Sequence, residues 1–218
     1  MTLSAVSTVV AARQRRSSGY PWRIRCYIAA VTLAALAAAP VAAMVIGREN
    51  GAPTAVVPVL LILLVQSELL RISYKYRGSE EKFTLIETAL APVLLATSGW
   101  QLISIVGGGI LITQVIRGRD FVKAVFNLAQ WVLAASLAGL AFHALRMGPG
   151  THPDNMPALL VAVLVATLVN QLAIAGILKL TTGYAFGRAG VSPDAIVGKM
   201  IGPVGCMVLG LTVAGGYA

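Results

Sequence analysis

Residues 157–180 read PALLVAVLVATLVNQLAIAGILKL, and no charged side chain interrupts them before Lys179. About 20 apolar residues in a helix are enough to cross the hydrocarbon of a bilayer. A backbone in hydrocarbon has to satisfy its own hydrogen bonds, which leaves helices or a closed barrel. The run is far longer than the roughly ten-residue alternating strands of a membrane barrel. The stretch is therefore expected to be a transmembrane helix.

Outward from this stretch, windows of the same kind fall near 24–46, 54–73, 83–98, 100–117, 121–145 and 197–217, which makes seven segments in all. Composition agrees: a chain of 218 residues that is 57% apolar and 11% charged carries more apolar surface than an ordinary water-soluble core can hide. The expected fold class is all-α, a polytopic transmembrane bundle of six to seven helices. The segments at 83–98 and 100–117 are short and separated only by Thr97, Ser98 and Gly99, so a short helical hairpin is expected there, tilted or stopping below the outer surface. The last segment is interrupted by Lys199, Gly202, Pro203 and Gly205; it either crosses or is partly re-entrant. The domain organisation expected is a basic cytoplasmic tail over residues 1–22 and a single transmembrane domain over 23–218.

The cations give a direction. Of the 17 Lys and Arg residues, 15 fall in every second gap between apolar segments, and only Arg48 and Arg146 fall in the others. The first tail holds Arg13, Arg15, Arg16, Arg23 and Arg25. Later gaps hold Arg71, Lys75, Arg77 and Lys82, then Arg117, Arg119 and Lys123, then Lys179, Arg188 and Lys199. Short cytoplasmic loops retain Lys and Arg during insertion, so these gaps and the amino terminus are expected in the cytoplasm, with the chain in a bacterial inner (plasma) membrane. A net charge of +9 does not imply nucleic acid here, because the basic residues are dispersed among membrane segments and form no single stripe. Membrane lipids with anionic headgroups are the expected counter-charge.

The amino-terminal region has a second reading. A basic stretch, the apolar run Ile28 to Ala39 and the small cluster Pro40-Val41-Ala42-Ala43 together look like a secretory signal with a cleavage site. The apolar run continues to Ile46, which is a full span, so an uncleaved first helix is expected.

Catalytic and metal chemistry find little material. Two histidines and two cysteines assemble into no Ser-His-Asp order, no metal-ligand spacing and no thiol with a base. His143 and His152 are expected at the outer interface, and Cys26 and Cys206 as small apolar residues. No enzyme activity, cofactor or metal is expected. Gly107, Gly108 and Gly109 lack the preceding strand and following Lys-Ser/Thr of a phosphate loop; they are expected to let a neighbouring backbone come close. Gly198 with Gly202 and Gly183 with Gly187 make small-xxx-small steps.

Polar groups within apolar segments are costly and usually face the bundle interior. They include Gln66, Ser67, Glu68, Glu87, Gln101, Gln114, Asn127, Gln130, Asn170 and Gln171. Asn127 and Gln130 are three apart and share a helix face, which Ala134, Ala138 and Ala141 continue outward; small residues above polar ones let another helix approach while the amides pair across the interface. Glu68, three before Arg71, is expected in a local ion pair. For Glu87 three readings stay open: stabilisation by a helix amino terminus, pairing with an arginine of another loop, or contact with a ligand. The candidate ligand-binding set is Glu87, Asn127, Gln130, Asn170 and Gln171.

The stretch from Tyr74 to Leu145 carries a basic-aromatic loop, then F-T-L-x-E at Phe83 to Glu87, a short hairpin, a basic turn, and K-x-x-F-N-x-A-Q at Lys123 to Gln130. In these elements it resembles the amino-terminal membrane sensor region found ahead of bacterial cyclic-di-GMP signalling domains, the diguanylate cyclases and phosphodiesterases. The layout is also similar to the substrate-binding subunits of energy-coupling-factor vitamin transporters. The first resemblance implies a sensory input domain acting on a cytoplasmic signalling domain or a separate protein partner, with a homodimer as a further expectation. The second implies a small-solute-binding subunit of a membrane transporter. Proteins of the signalling type continue into a catalytic domain, whereas this sequence stops at Ala218, so the output is expected on another stretch or another chain.

Overall fold

The structure is a computed structural model that describes residues 20–47, 51–76, 79–148 and 152–182. Among these residues the chain forms α1 (Trp22–Ile46), α2 (Val56–Leu69), a ribbon of β1 (Arg71–Tyr76) and β2 (Ser79–Thr84), then α3 (Ile86–Ala96), α4 (Gly99–Ile116), α5 (Phe121–Leu145), a 3-10 turn at Pro153–Asn155, and α6 (Met156–Thr182). The bundle is all-helical, and α1, α4, α5 and α6 are each long and apolar enough to cross a membrane. The segment expected near 197–217, Cys206 and the glycine steps after residue 182 lie outside the described residues.

Four helices match their expected windows closely, and α5 keeps the expected limits. The exceptions flank a ribbon: α2 ends at Leu69 instead of continuing to residue 73, and α3 starts at Ile86 instead of 83, because the chain between them forms an antiparallel pair joining Arg71 with Thr84 and Tyr76 with Ser79. Apolar Ile72, Tyr74 and Phe83 extend the hydropathy past the end of the helix. Yet β-branched and aromatic residues are strand formers, and the alternating cations Arg71 and Lys75 do not suit a hydrocarbon-embedded helix.

With 14 and 11 residues, α2 and α3 are about 21 and 16 Å long, well short of the roughly 30 Å hydrocarbon core. The connection before α2 is held to the start of α4. The Gln101 side chain reads the backbone of Ala52 as a strand would: its Oε1 accepts the Ala52 N–H at 2.8 Å and its Nε2 donates to the Ala52 carbonyl at 2.9 Å. The same Oε1 also accepts the Ser98 N–H at 3.1 Å, closing the start of α4. Thr97 and Ser98 join α3 to α4 as expected of the short hairpin, but the two helices find their main neighbours elsewhere, α3 against α2 and α6, and α4 against α5 and α2.

Apolar groups face both ways, as hydrocarbon solvent permits. Leu33, Leu36 and Met44 on α1, Val59 and Ile62 on α2, Val115 on α4 and Leu172 on α6 are exposed. Inward positions are small: Ala42 and Ala43, Ala134, Ala135 and Ala138, and Ala158, Ala162 and Ala166 are buried. Lipid tails are as apolar as leucine, so close packing, not exclusion of apolar surface from water, holds such helices together. The tightest approach of one backbone to another is at Gly99, where a Cβ would stand 2.7 Å from the Cα and carbonyl oxygen of Ala43; there the Gly99 N–H donates to the Gly47 carbonyl at 3.1 Å. The glycines expected to admit a backbone, Gly107 to Gly109, instead receive side chains: Val132 faces Gly107, Leu61 faces Gly108, and Leu64 presses on Gly109.

Chain direction follows from these contacts. Tyr27 packs on Phe126 with ring centroids 6.2 Å apart and donates to the Ala173 carbonyl at 3.1 Å, so the start of α1, the start of α5 and the end of α6 share one end of the bundle. Gly118, at a positive φ of 55°, closes α4 at that same end. Arg23, Arg25, Arg117, Arg119, Lys123 and Lys179 therefore lie at one end, and Arg146 at the other.

Candidate functional site

A polar seam runs through the basic half of the bundle. It begins where α2 and α4 end together. Glu68, buried, accepts from Arg117 Nη1 at 2.6 Å, and Arg117 Nη2 donates to the Glu68 backbone carbonyl. The side chain of Arg71, expected to pair with Glu68, lies outside the described residues; the partner described for Glu68, Arg117, is 49 residues away. A buried pair of this kind is costly to break, because removing one partner strands the other charge.

Glu87 is buried in the first turn of α3. Its carboxylate accepts its own backbone N–H and lies within electrostatic reach of Glu68. Its place in the first turn puts it at a helix amino terminus, one of the three readings left open for it. Ser67 and Leu85 tie the two acidic helix ends together through a backbone hydrogen bond of 3.1 Å.

The amides form the next layer. Asn127 Nδ2 donates to Gln114 Oε1 at 3.0 Å, joining α5 to α4. Gln130 Nε2 donates to Asn170 Oδ1 at 3.0 Å, joining α5 to α6. Asn127 and Gln130 share a face in the broad sense, but α5 packs against α4 and α6 as well as α1, and the two amides serve α4 and α6 respectively. Because α5 and α6 run antiparallel, a step of four residues from Gln130 and Asn170 brings Ala134 level with Ala166, and another brings Ala138 level with Ala162; all four alanines are fully buried. The polar pair is thus the last layer of an alanine-lined contact in which the helices are pressed close.

Two polar atoms in this layer have no hydrogen-bond partner among the described residues. Gln130 Oε1 and Thr167 Oγ1 are both buried and unbonded. Thr167 is one turn from Asn170 on the same face of α6. Sequence reading missed Thr167, although its three-residue spacing from Asn170 was the available signal. Gln171, next to Asn170 in the chain, points about 100° further round α6 and is partly exposed. A cavity of about 330 Å³ opens at the basic end between α1, α5 and α6; Asn127 forms part of its wall, and Glu87, Gln130, Asn170 and Gln171 do not. The expected site residues therefore occupy three adjoining places: an acidic end at Glu68 and Glu87, a paired amide layer, and the inner edge of a cavity.

No three His, Cys, Asp or Glu side chains among the described residues are grouped to hold a metal ion. At the end opposite the cations, His143 Nδ1 is buried without a partner among the described residues, and exposed His152 lies 3.4 Å from Asp154.

The family model MASE9, which describes membrane-associated sensor domains, matches residues 55–201. The match takes in α2 through α6 and leaves α1 outside it. No curated protein and no solved structure matches the chain. A match over about two-thirds of the sequence, carried by a helical bundle with four membrane-length helices, places this chain in the MASE9 family of membrane-associated sensor domains.

Proposed function

We propose that this chain is the sensory input of a cyclic-di-GMP signalling system: it binds a small ligand or reads the membrane state through the α4–α5–α6 seam and passes the change to a cytoplasmic output domain or protein partner. In this reading the basic end faces the cytoplasm and the chain sits in a bacterial inner membrane. Residues 1–22 form a cytoplasmic tail on a single transmembrane domain, residues 23–218. The family membership and the F-T-L-x-E and K-x-x-F-N-x-A-Q motifs support a signalling role.

One observation carries the mechanism: Gln130 Oε1 and Thr167 Oγ1 are buried and, among the described residues, unbonded, in the layer of the Gln130–Asn170 pair. An unsatisfied buried polar group costs about 1–3 kcal/mol, so a shift of α6 against α5, or a ligand group supplying the missing partner, lowers the energy of a second packing. A stimulus moves such an equilibrium only by its differential affinity for the two packings. Asn127 and Gln114 carry the shift to α4, and Arg117 and Glu68 carry it to α2 and the ribbon.

The test is intracellular cyclic-di-GMP in the source bacterium, with the gene deleted and then restored at matched protein abundance. Deletion should change the nucleotide level and the wild type should restore it. Thr167→Val, which keeps the side-chain shape while removing the unpartnered hydroxyl, and Glu87→Gln should both fold but fail to restore it. Identical levels in all strains would refute the signalling reading, and loss of uptake of one solute, with an ATPase co-purifying, would replace it with transport.

A further inference from the structure

The cavity at the basic end is built for a molecule that is charged at one end and apolar along the rest. Its walls are Ile24 and Ile28 of α1, Val122 and Phe126 of α5, and Ile174 and Ile177 of α6. Arg119 and Lys123 bring positive charge to the lining from the turn before α5 and its first residues, and Tyr20, Asn127 and Thr181 add polar groups. Arg119 is exposed, while Lys123 already touches Asp120 at 3.1 Å in an exposed pair of the kind that contributes little. At about 330 Å³ the cavity is at the small end of ligand sites, and it is open on one side, so an occupant can extend beyond it.

We infer that this cavity binds an anionic phospholipid, its phosphate against Arg119 and Lys123 and the upper part of an acyl chain along the isoleucine and phenylalanine walls. The chemistry on each side excludes simpler occupants. A free inorganic anion would gain nothing from six large apolar side chains, and a neutral apolar molecule would gain nothing from two cations. The position also fits, since the cations stand at the basic end of helices that are apolar from there onward; a lipid of the adjoining leaflet presents its phosphate at that level. In the orientation proposed above this is the cytoplasmic leaflet, where anionic lipid meets basic segments. Asn127 forms part of the wall and bonds Gln114, so an occupant of the cavity touches the edge of the seam. The inference does not depend on the signalling role, because lipid selectivity is measured on the protein alone.

The experiment uses the full chain reconstituted in phosphatidylcholine vesicles with trace spin-labelled phosphatidylglycerol, phosphatidylcholine or stearic acid, and compares the motionally restricted fraction of each. Labelled phosphatidylglycerol should be held in preference to phosphatidylcholine. The preference should fall about fivefold in Arg119→Ala and be lost in Ile177→Trp, whose larger ring obstructs the apolar wall. Lys179→Ala removes a charge at the same end from a residue outside the lining and should leave the preference in place. No preference for phosphatidylglycerol, or one that survives Ile177→Trp, would overturn the inference. Retention of stearic acid in place of phosphatidylglycerol would overturn it in favour of a free fatty acid.

Discussion

Gln130 and Asn170 show how one hydrogen bond can set the contact between two helices in lipid. Hydrogen bonds between membrane helices contribute modestly, about 0.6–2 kcal/mol, whereas a buried amide left without its partner costs about 1–3 kcal/mol. Asn170→Leu should therefore destabilise the bundle by about 1–3 kcal/mol, and adding Gln130→Leu should recover part of that loss instead of doubling it. Reversible unfolding in mixed micelles measures both; additive losses would mean that the two amides act independently. Arg117→Ala should cost more, about 3–5 kcal/mol, because it leaves Glu68 buried beside Glu87 without its cation. A loss below about 1 kcal/mol in the same assay, as measured for exposed pairs, would show that water reaches the pair freely. The amide-bearing residues were legible in the sequence because polar groups stand out in apolar runs. Their partners were not, since a single helix face cannot say which neighbour it meets: Asn127 and Gln130 look equivalent until α5 is placed between α4 and α6.

At the scale of elements, legibility followed charge. The limits of α5 could be read because Arg119, Asp120 and Arg146 bracket it. The end of α2 could not, because the strand residues beyond it are themselves apolar or aromatic, and hydropathy does not separate a membrane helix from the first strand of a ribbon. The short hairpin was readable as a connection through Thr97 and Ser98 but not as a packing, because consecutive helices need not be neighbours. Glycine likewise revealed little until contacts were known. Three consecutive glycines in α4 drew attention, yet the position that cannot take a side chain without displacing backbone is Gly99. Gly99→Ala should push α4 from α1 and cost about 1–3 kcal/mol, in the range of overpacked sites. Gly107→Ala, whose nearest neighbour would be 3.6 Å away on the Val132 side chain, should be tolerated or mildly stabilising, since alanine is the better helix former. Thermal melts of the two variants in the same detergent check the contrast; equal melting temperatures would contradict it.

For the whole molecule, the cations, the seam and the cavity are arranged along one axis. Basic residues mark one end, the acidic pair and amide layer lie above it, and the alanine-lined contact between α5 and α6 continues toward the other. This polarity was legible from Lys and Arg spacing alone, because insertion reads charge near helix ends and not tertiary contacts. It is also the premise on which both the signalling direction and the lipid leaflet rest. The most direct test is accessibility of single cysteines, placed in a Cys26→Ser, Cys206→Ser background at Arg119, Lys179, Arg146 and His152, to a membrane-impermeant maleimide added to intact cells. Cysteines at 146 and 152 should label from outside, and those at 119 and 179 only after the membrane is permeabilised. Labelling of 119 and 179 from opposite sides would contradict a single basic end, and with it the enclosed seam.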